Sequence, residues 1–428
     1  MNNDLDRLDA TTLLARLGGG HLDKELLAEH FIHKVESDEH QVHAFAQFDA
    51  ERVRAQFRQT RGRLAGPLAG LVVGVKDNIA TAEYPTEYHS PIYRRHQPAR
   101  DAFVVARLRQ AGAIVMGKTH TTEFAYMHTG PTCNPHDRLR TPGSSSAGSA
   151  AGMAAGFFPL ALGTQTAGSL IKPAAYCGAF AYKPSFGLVS LEGVKPLAPS
   201  FDTLGWFGRS VADLELLARV LVPGLPSPGA MKGVYGFCRT TRGEQVAAEV
   251  AVAVDCAIDR LRSTGLQIRE LRLPAAFDTV FEDHLLINDC EGARSFACEA
   301  QAAPHLLSDS FSAMLDRAAN TSWRQESAAR QRIADLAPVL RTLMQPFDAL
   351  VGYSCGQVAP LGLGATGPSD FIKCWMAFGL PQLNIPLPVR AGQLPIGLQV
   401  IGSFREDAQL LWAATQISGE LNNAASVP

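Results

Sequence analysis

The chain has 428 residues, of which 46% are hydrophobic, so it is long enough to bury a large core. Its formal net charge of −2 lacks the basic character of most nucleic-acid-binding proteins, and we expect no nucleic-acid partner. The N-terminus has no apolar signal region, and no run of about 18 apolar residues occurs, which predicts a cytoplasmic protein without a membrane span.

The first half of the chain alternates helical and strand patterns. Apolar spacing predicts an N-terminal helical segment over about 1–65. In chain order, the elements predicted up to residue 163 are helices over 22–35 and 51–64, a strand over 71–78, a helix over 101–112, a strand over 113–117, a helix over 146–157 and a strand over 159–163. In the third helix, Asp101 is the expected N-cap and Gly112 the residue just beyond the end.

The second half continues the same alternation. Its predicted elements are a helix over 210–222, a strand over 232–238, a helix over 247–264, a strand over 266–271, helices within 277–341, strands over 347–354, 383–389 and 394–402, and a helix over 407–421. Strand, helix and strand at this spacing are typical of βαβ units. We therefore expect one α/β domain over 1–428, with a mixed, largely parallel sheet covered by helices on both faces.

The eight cysteines are scattered and none forms a C-x-x-C pair. This usage is typical of reduced thiols rather than of a disulfide framework or a zinc site. No H-E-x-x-H and no G-x-x-x-x-G-K-[ST] motif occurs. We accordingly expect no metal and no cofactor.

Lys76 ends the buried-strand pattern GLVVGVKDN. Burial disfavours the charged form of a lysine, and a neutral lysine is a general base. On pattern alone, a lysine that reaches solvent or pairs with Asp77 is the favoured interpretation.

Two further segments place hydroxyl groups beside small residues. PGSSSAGSAAG, residues 142–152, is compatible either with a helix cap or with a catalytic loop. In TQTAGSLIKP, the small residues around Ser169 leave backbone N–H groups free to surround an oxyanion, as a serine nucleophile needs. Ser169 and Lys172 also match S-x-x-K, but S-D-N and K-T-G are absent. Pro173 disfavours a helix at Lys172, so we interpret this match as accidental.

Six blocks in order resemble the amidase signature family: GPLAGLVVGVKDNI, DAFVVARLRQAGAIVMGKTHTTEF, TPGSSSAGSAAGMAAG, PLALGTQTAGSLIKPAAYCGAFAYKPSFG, FDTLGWFGRSVADLELLA and GLPQLNIPLPV with LPIGLQVIG. The resemblance runs from about residue 25 to about 418, with a signature core over about 66–222 and a C-terminal portion over about 230–420. The form TQT-x-GS-x-I-[basic]-PAAYCG looks closer to malonamidase-like amidases than to tRNA-amidotransferase A subunits.

The resemblance implies a Ser–cis-Ser–Lys triad in which Ser169 is the nucleophile, Ser145 the cis-serine and Lys76 the base. It also implies that backbone N–H groups of Thr166, Ala167, Gly168 and Ser169 form the oxyanion hole, with support from Ser146. A cis peptide before Ser145 would cost about 3 kcal/mol.

Two positions depart from the family pattern. Ser144 and Ala167 each stand where the family usually has glycine, and an alanine at 167 would be strained if its φ were positive. Lys172 is expected either to pair with a substrate carboxylate or to form a structural ion pair. Tyr126 and Met127 are the other expected substrate contacts.

The resulting hypothesis is a cofactor-independent serine amidohydrolase that cleaves a small linear amide, or a related carbamate or ester. One alternative is a non-hydrolytic or partner-dependent component of an amidotransferase. Another is an S-x-x-K β-lactam-type enzyme. A homodimer is expected from family habit.

Overall fold

The computed structural model describes residues 5–59, 66–390 and 392–423. The strands in these residues form a single sheet. Its eleven described strands are β1 Phe45–Phe48, β2 Val72–Lys76, β3 Ile114–Thr119, β4 Leu160–Gln165, β5 Phe180–Lys183, β6 Thr203–Gly208, β7 Val234–Cys238, β8 Gln267–Leu271, β9 Ala349–Tyr353, β10 Gln382–Pro386 and β11 Gly397–Ile401. The expected single α/β domain is confirmed, because all of these strands belong to one sheet.

The strand order is β1-β3-β2-β4-β6-β5-β10-β11-β9-β7-β8. Parallel pairing is confined to two blocks, β3-β2-β4 and β9-β7-β8. The pairings of β4 with β6, and onward through β5, β10, β11 and β9, are antiparallel, as is β1 with β3. The expectation of a mixed sheet is confirmed. Fewer strand pairs are parallel than expected, because the βαβ units lie towards the sides of the sheet and antiparallel strands join them.

Helices pack around this sheet. Those in the described residues are α1 Ala10–Gly18, α2 Lys24–Val42, α3 Ala50–Gln59, α4 Phe103–Gln110, α5 Ala147–Ala154, α6 Ile171–Cys177, α7 Val211–Leu221, α8 Ala248–Ser263, α9 Val280–Ser295, α10 Ala297–Ala302, α11 Asp309–Ala319, α12 Trp323–Met344, α13 Asp370–Met376 and α14 Asp407–Asn423. None of these helices combines the length and apolar composition needed to cross a bilayer.

Most predicted elements are present, with three differences. Asp101 does not cap α4; Ala102 is the N-cap, and the Asp101 carboxylate accepts instead from Ala82 N–H and Arg109. Helix α6 forms despite Pro173, because a proline in the first helical turn removes no intrahelical hydrogen bond. Strands β1, β5 and β6 were not predicted, and β1 interrupts the segment expected to be helical over about 1–65 because it pairs with β3. The end of the helix expected over 51–64 lies partly outside the described residues.

Small residues bring α5 against the backbone of its neighbours. A Cβ atom added at Gly148 would collide with the Ala44 carbonyl and the His120 N–H. At Gly74 of β2, an added Cβ would lie 2.8 Å from the Phe158 ring. These close approaches hold the start of α5 beside the ends of β2 and β4, which is where the candidate site forms.

Candidate active site

Lys76 is the last residue of β2 and is completely buried. Its Nζ atom donates to Oγ of Ser145 at 2.7 Å and to Oγ1 of Thr164 at 2.8 Å. Asn78 also donates to the Thr164 hydroxyl, at 2.9 Å. The strand therefore delivers an amine into a small polar pocket whose partners are all hydroxyl or carbonyl groups.

The surroundings of Lys76 favour its neutral form. Burial lowers the pKa of Lys76 well below its usual value, and the carboxylate of Asp202 opposes this shift only in part. Burial also raises the pKa of Asp202, to about 6. No carboxylate forms an ion pair with Lys76 among the described residues, so the amine can accept a proton.

Two of the three consecutive serines, Ser144 and Ser145, contact different partners. Ser145 faces Lys76, whereas Oγ of Ser144 lies 3.0 Å from Oγ of Ser169. No hydrogen bond joins Ser145 to Ser169 in the described part of the chain. The cis peptide expected before Ser145 is absent, because every described peptide bond is trans. The trans form is the one that non-proline peptides favour, by about 3 kcal/mol.

Ser146 connects the serine block to β4 and to the Ser169 loop. Its hydroxyl donates to the Thr164 carbonyl at 3.2 Å, and its N–H donates to the Ser169 carbonyl at 3.2 Å. Ser146 also stands immediately before α5. These contacts fit the supporting position expected for it.

Residues 166–169 form a tight loop between β4 and α6. The N–H groups of Ala167, Gly168 and Ser169 donate no hydrogen bond to any other described residue, whereas those of Leu170 and Ile171 both donate to Oε1 of Gln165. Ala167 does not adopt a positive φ, so the alanine causes no strain there. The loop thus offers free backbone donors close to the Ser169 hydroxyl.

Two buried side chains hold this loop from either side. The Thr166 hydroxyl donates to Oδ1 of Asp202 at 2.6 Å, and Nε2 of His284 lies 3.0 Å from the Thr166 carbonyl. Burial lowers the pKa of His284 to about 3, so the ring is neutral and Nε2 carries the donated proton. Asp202 also accepts from the N–H groups of Leu197 and Ala198.

A cavity of about 180 Å³ opens onto Ser169. The residues lining it are Ala125, Tyr126, Met127, Ser144, Thr166, Ala167, Ser169, Lys172, Leu197, His284, Leu285, Asn288, Thr366, Gly367, Pro368, Ser369 and Lys373. The three expected substrate contacts, Tyr126, Met127 and Lys172, are all among them. The Tyr126 hydroxyl accepts a hydrogen bond from Arg317 at 2.6 Å and donates one to Asp289.

Of the two contacts expected for Lys172, the structural ion pair is absent among the described residues, and the contact with a substrate carboxylate stays a prediction. Its Nζ donates to the Gly367 carbonyl at 2.5 Å and lies 3.4 Å from the Thr366 hydroxyl. No carboxylate lies within ion-pair distance of it among the described residues, so the structural ion pair is not present. Because Nζ is directed to Gly367 rather than to Ser169, the S-x-x-K interpretation has no support even though α6 is helical.

Asp202, His284, Ser369 and Lys373 were missed in the sequence. Asp202 lies inside the family block that contains FDTLGWFG, and its place in that block could have identified it as a candidate site residue. His284 lies in α9, where the sequence pattern predicts only a helix, and Lys373 lies in α13. Within the described residues, no cluster of His, Cys, Asp and Glu is arranged to hold a metal ion.

Solved structures with the same fold include one described as an amidase, with a TM-score of 0.88 and 28% identity over 97% of this chain and 100% of that chain. The peptide amidase from Stenotrophomonas maltophilia has a TM-score of 0.83 and 26% identity, over 97% of each chain.

Curated relatives include the A subunit of glutamyl-tRNA(Gln) amidotransferase from Roseiflexus sp. (strain RS-1), 31% identical over 94% of this chain and 93% of the relative. The protein of the same name from Chlamydia pneumoniae is 32% identical over 82% of this chain and 70% of that protein. The placement near malonamidase-like enzymes stays a prediction. The family model described as Amidase matches residues 26–411, so the chain belongs to the Amidase family.

Proposed function

We propose that the protein is a serine amidohydrolase that cleaves a small linear amide through an acyl-enzyme on Ser169. The observation that carries this proposal is the buried Lys76 amine, 2.7 Å from the Ser145 hydroxyl. It lies beside a loop that presents Ser169 together with free backbone N–H groups. A general base, a hydroxyl relay and an oxyanion site are the parts that serine-dependent acyl transfer needs.

In the proposed reaction, the hydrogen bond between Lys76 and Ser145 reverses, so that the lone pair of neutral Lys76 accepts the proton of Ser145 as Ser145 takes that of Ser169. The Ser169 oxygen attacks the amide carbon, and the N–H groups of residues 166–169 stabilise the oxyanion. The C–N bond then breaks, and the leaving amine takes the proton back from the relay. Water hydrolyses the ester and releases the acid. The step from Ser169 to Ser145 needs a closer approach of the two hydroxyl groups than the structure shows, and such contacts commonly tighten when substrate binds.

The cavity supports a small substrate. Its volume of about 180 Å³ lies below the roughly 300–1,000 Å³ of pockets that take drug-sized ligands. His284 and Asp202 position the oxyanion loop through Thr166 rather than by contact with the reacting atoms. Tyr126 and Met127 contribute walls to the same cavity.

The test is product detection by mass spectrometry after incubation with a panel of acid amides, aliphatic amides, anilides and aryl carbamates. Ser169→Ala serves as the blank, and Lys76→Ala tests the base. We expect turnover of small amides that both substitutions abolish. Full activity in either variant would refute the triad.

A partner-dependent role is the second candidate, because the relatives reported above are named as subunits of an amidotransferase. In that case the purified chain would be inactive on every amide of the panel and would aggregate in size-exclusion chromatography. The same chromatography measures whether the chain forms the expected homodimer. The homodimer and the cytoplasmic location stay predictions.

A further inference from the structure

Ser144 places a second hydroxyl group against the candidate nucleophile. Its Oγ lies 3.0 Å from Oγ of Ser169, and this is the one hydrogen bond that either hydroxyl makes to another described residue. Ser144 is 7% exposed and lines the same cavity as Ser169. It stands where the family usually has glycine, so the family pattern does not account for this hydroxyl.

The backbone on both sides of Ser144 fixes where its hydroxyl lies. Gly143 has a φ of +116°, and a Cβ atom added there would lie 2.9 Å from Cα of Pro173 in α6. Beyond Ser144, the Ser146 N–H donates to the Ser169 carbonyl at 3.2 Å. Ser144 itself does not have a positive φ, so the side chain is held there without backbone strain. The contact between the two hydroxyls therefore follows from the packing of the serine block against α6 and the Ser169 loop.

Proton accounting gives the direction of this hydrogen bond during the proposed reaction. Each hydroxyl group has one proton to donate. Ser169 has to pass its proton towards Ser145 and Lys76, so it cannot give the same proton to Ser144. Ser144 is then the donor, and the Ser169 oxygen is the acceptor. A hydrogen bond becomes stronger when its acceptor is ionised, and Oγ of Ser169 gains negative charge as its proton leaves.

We propose that Ser144 is a further catalytic residue, which donates a hydrogen bond to Oγ of Ser169 both when that oxygen attacks and when it leaves. In acylation, the C–Oγ bond forms as the Ser169 proton moves into the relay. In deacylation, water loses a proton to the relay and attacks the ester carbon, the C–Oγ bond breaks, and Ser169 recovers a proton from the relay. The Ser169 oxygen carries partial negative charge in both steps, so one donor assists both. This inference rests on the proposed function and deepens its account of the same site.

Reaction with diethyl fluorophosphate tests this inference without an amide substrate. Oγ of Ser169 attacks phosphorus, the relay takes its proton and fluoride leaves, so intact-protein mass spectrometry follows the labelled fraction with time. Ser144→Ala and Ser144→Gly both remove the hydroxyl. Each should lower the second-order rate constant of labelling about 10- to 100-fold, the effect of one hydrogen bond to a charged oxygen. Ser190→Ala, which removes an exposed hydroxyl elsewhere, is the matched control and should label at the wild-type rate.

Two further readouts separate catalysis by the hydroxyl from a structural role. Thermal melts of both Ser144 variants should lie close to that of the wild type. With the best amide substrate, kcat should fall by about 10- to 100-fold while KM changes less than about twofold. A change in KM alone would overturn the inference, and so would a Ser144→Gly protein that reacts faster than wild type, because cavity space would then control the rate. Loss of the thermal transition in both variants would also overturn it, since the hydroxyl would then be structural.

The labelling experiment also distinguishes this inference from the proposed function. Wild-type protein labelled at Ser169, with slower labelling of the folded Ser144 variants, supports the inference even if no amide of the panel is hydrolysed. Labelling of these variants at the wild-type rate refutes the role of Ser144 and leaves the amidohydrolase intact. Wild-type protein that reacts no faster than Ser169→Ala refutes Ser169 as the nucleophile and both proposals with it.

Discussion

Gly168 offers a direct test of whether the loop 166–169 must keep its position. Its φ lies outside the left-handed region, so an alanine there is not strained by its backbone conformation. The added Cβ would instead lie 2.7 Å from Oγ and 2.8 Å from Cβ of Ser369, and 3.3 Å from Cδ1 of Ile372. Non-bonded carbon atoms prefer about 3.5–4.0 Å, so the loop or α13 has to move by about 0.7–1 Å.

Such a displacement acts on the groups that surround the oxyanion. Misplacing reacting groups by about 1 Å costs about 10²-fold in rate, and losing one oxyanion donor costs about 10²–10³-fold. We therefore expect Gly168→Ala to lower kcat/KM about 10²-fold. Overpacking should also reduce the free energy of unfolding by about 1–3 kcal/mol. Initial-rate kinetics on the best amide of the panel and urea denaturation measure the two effects.

Ser369→Gly supplies the matched second substitution, because it removes both atoms nearest to the new methyl group. In the double variant, kcat/KM and unfolding free energy should recover most of what Gly168→Ala loses. The two substitutions should therefore be strongly non-additive in a double-mutant cycle. A Gly168→Ala protein that keeps more than about a third of wild-type kcat/KM would refute the steric reasoning. Additive effects in folded variants would do the same.

Three further predictions concern charge. Because burial lowers the pKa of Lys76 and only its neutral form accepts a proton, kcat/KM should fall as pH decreases through that pKa; Lys76→Arg, which stays protonated, should be inactive at every pH of a kinetic profile. Asp202→Asn removes the charge that raises the pKa of Lys76, so the acidic limb of the kcat/KM profile should move to lower pH, and an unmoved limb would contradict this coupling. Lys118→Met leaves the buried Asp77 carboxylate without its partner at 3.1 Å and should cost about 3–5 kcal/mol in urea denaturation, whereas a loss below about 1 kcal/mol would contradict an important buried pair.

Local patterns predicted much of the fold. Apolar spacing identified the core helices, and short apolar runs identified β2, β3 and β4, because these periodicities reflect which face of each element is buried. Ser210 was correctly expected to begin α7, where its hydroxyl accepts from the Asp213 N–H. The sequence does not predict α6, because a proline disfavours a helix unless it lies in the first helical turn, as Pro173 does.

The residues of the candidate site were likewise predictable from the sequence only in part. Family blocks in the sequence located Lys76, Ser145, Ser146, Ser169 and the loop between β4 and α6, because these residues lie in or near contiguous, unusually small-residue segments. The same blocks could not show which serine hydroxyl contacts Ser169. That contact depends on the backbone path through residues 143–146.

The sequence by itself thus determined the family, the α/β class and the segments that supply Lys76 and the serine hydroxyls of the candidate site. Only the tertiary structure decided that His284 donates to the Thr166 carbonyl, that Lys172 donates to the Gly367 carbonyl, and that Lys373 lines the cavity. The physical reason is distance along the chain. Residues more than a hundred positions beyond Ser169 reach it only after the sheet brings α9 and α13 beside the loop, and no local periodicity records which side chains then meet.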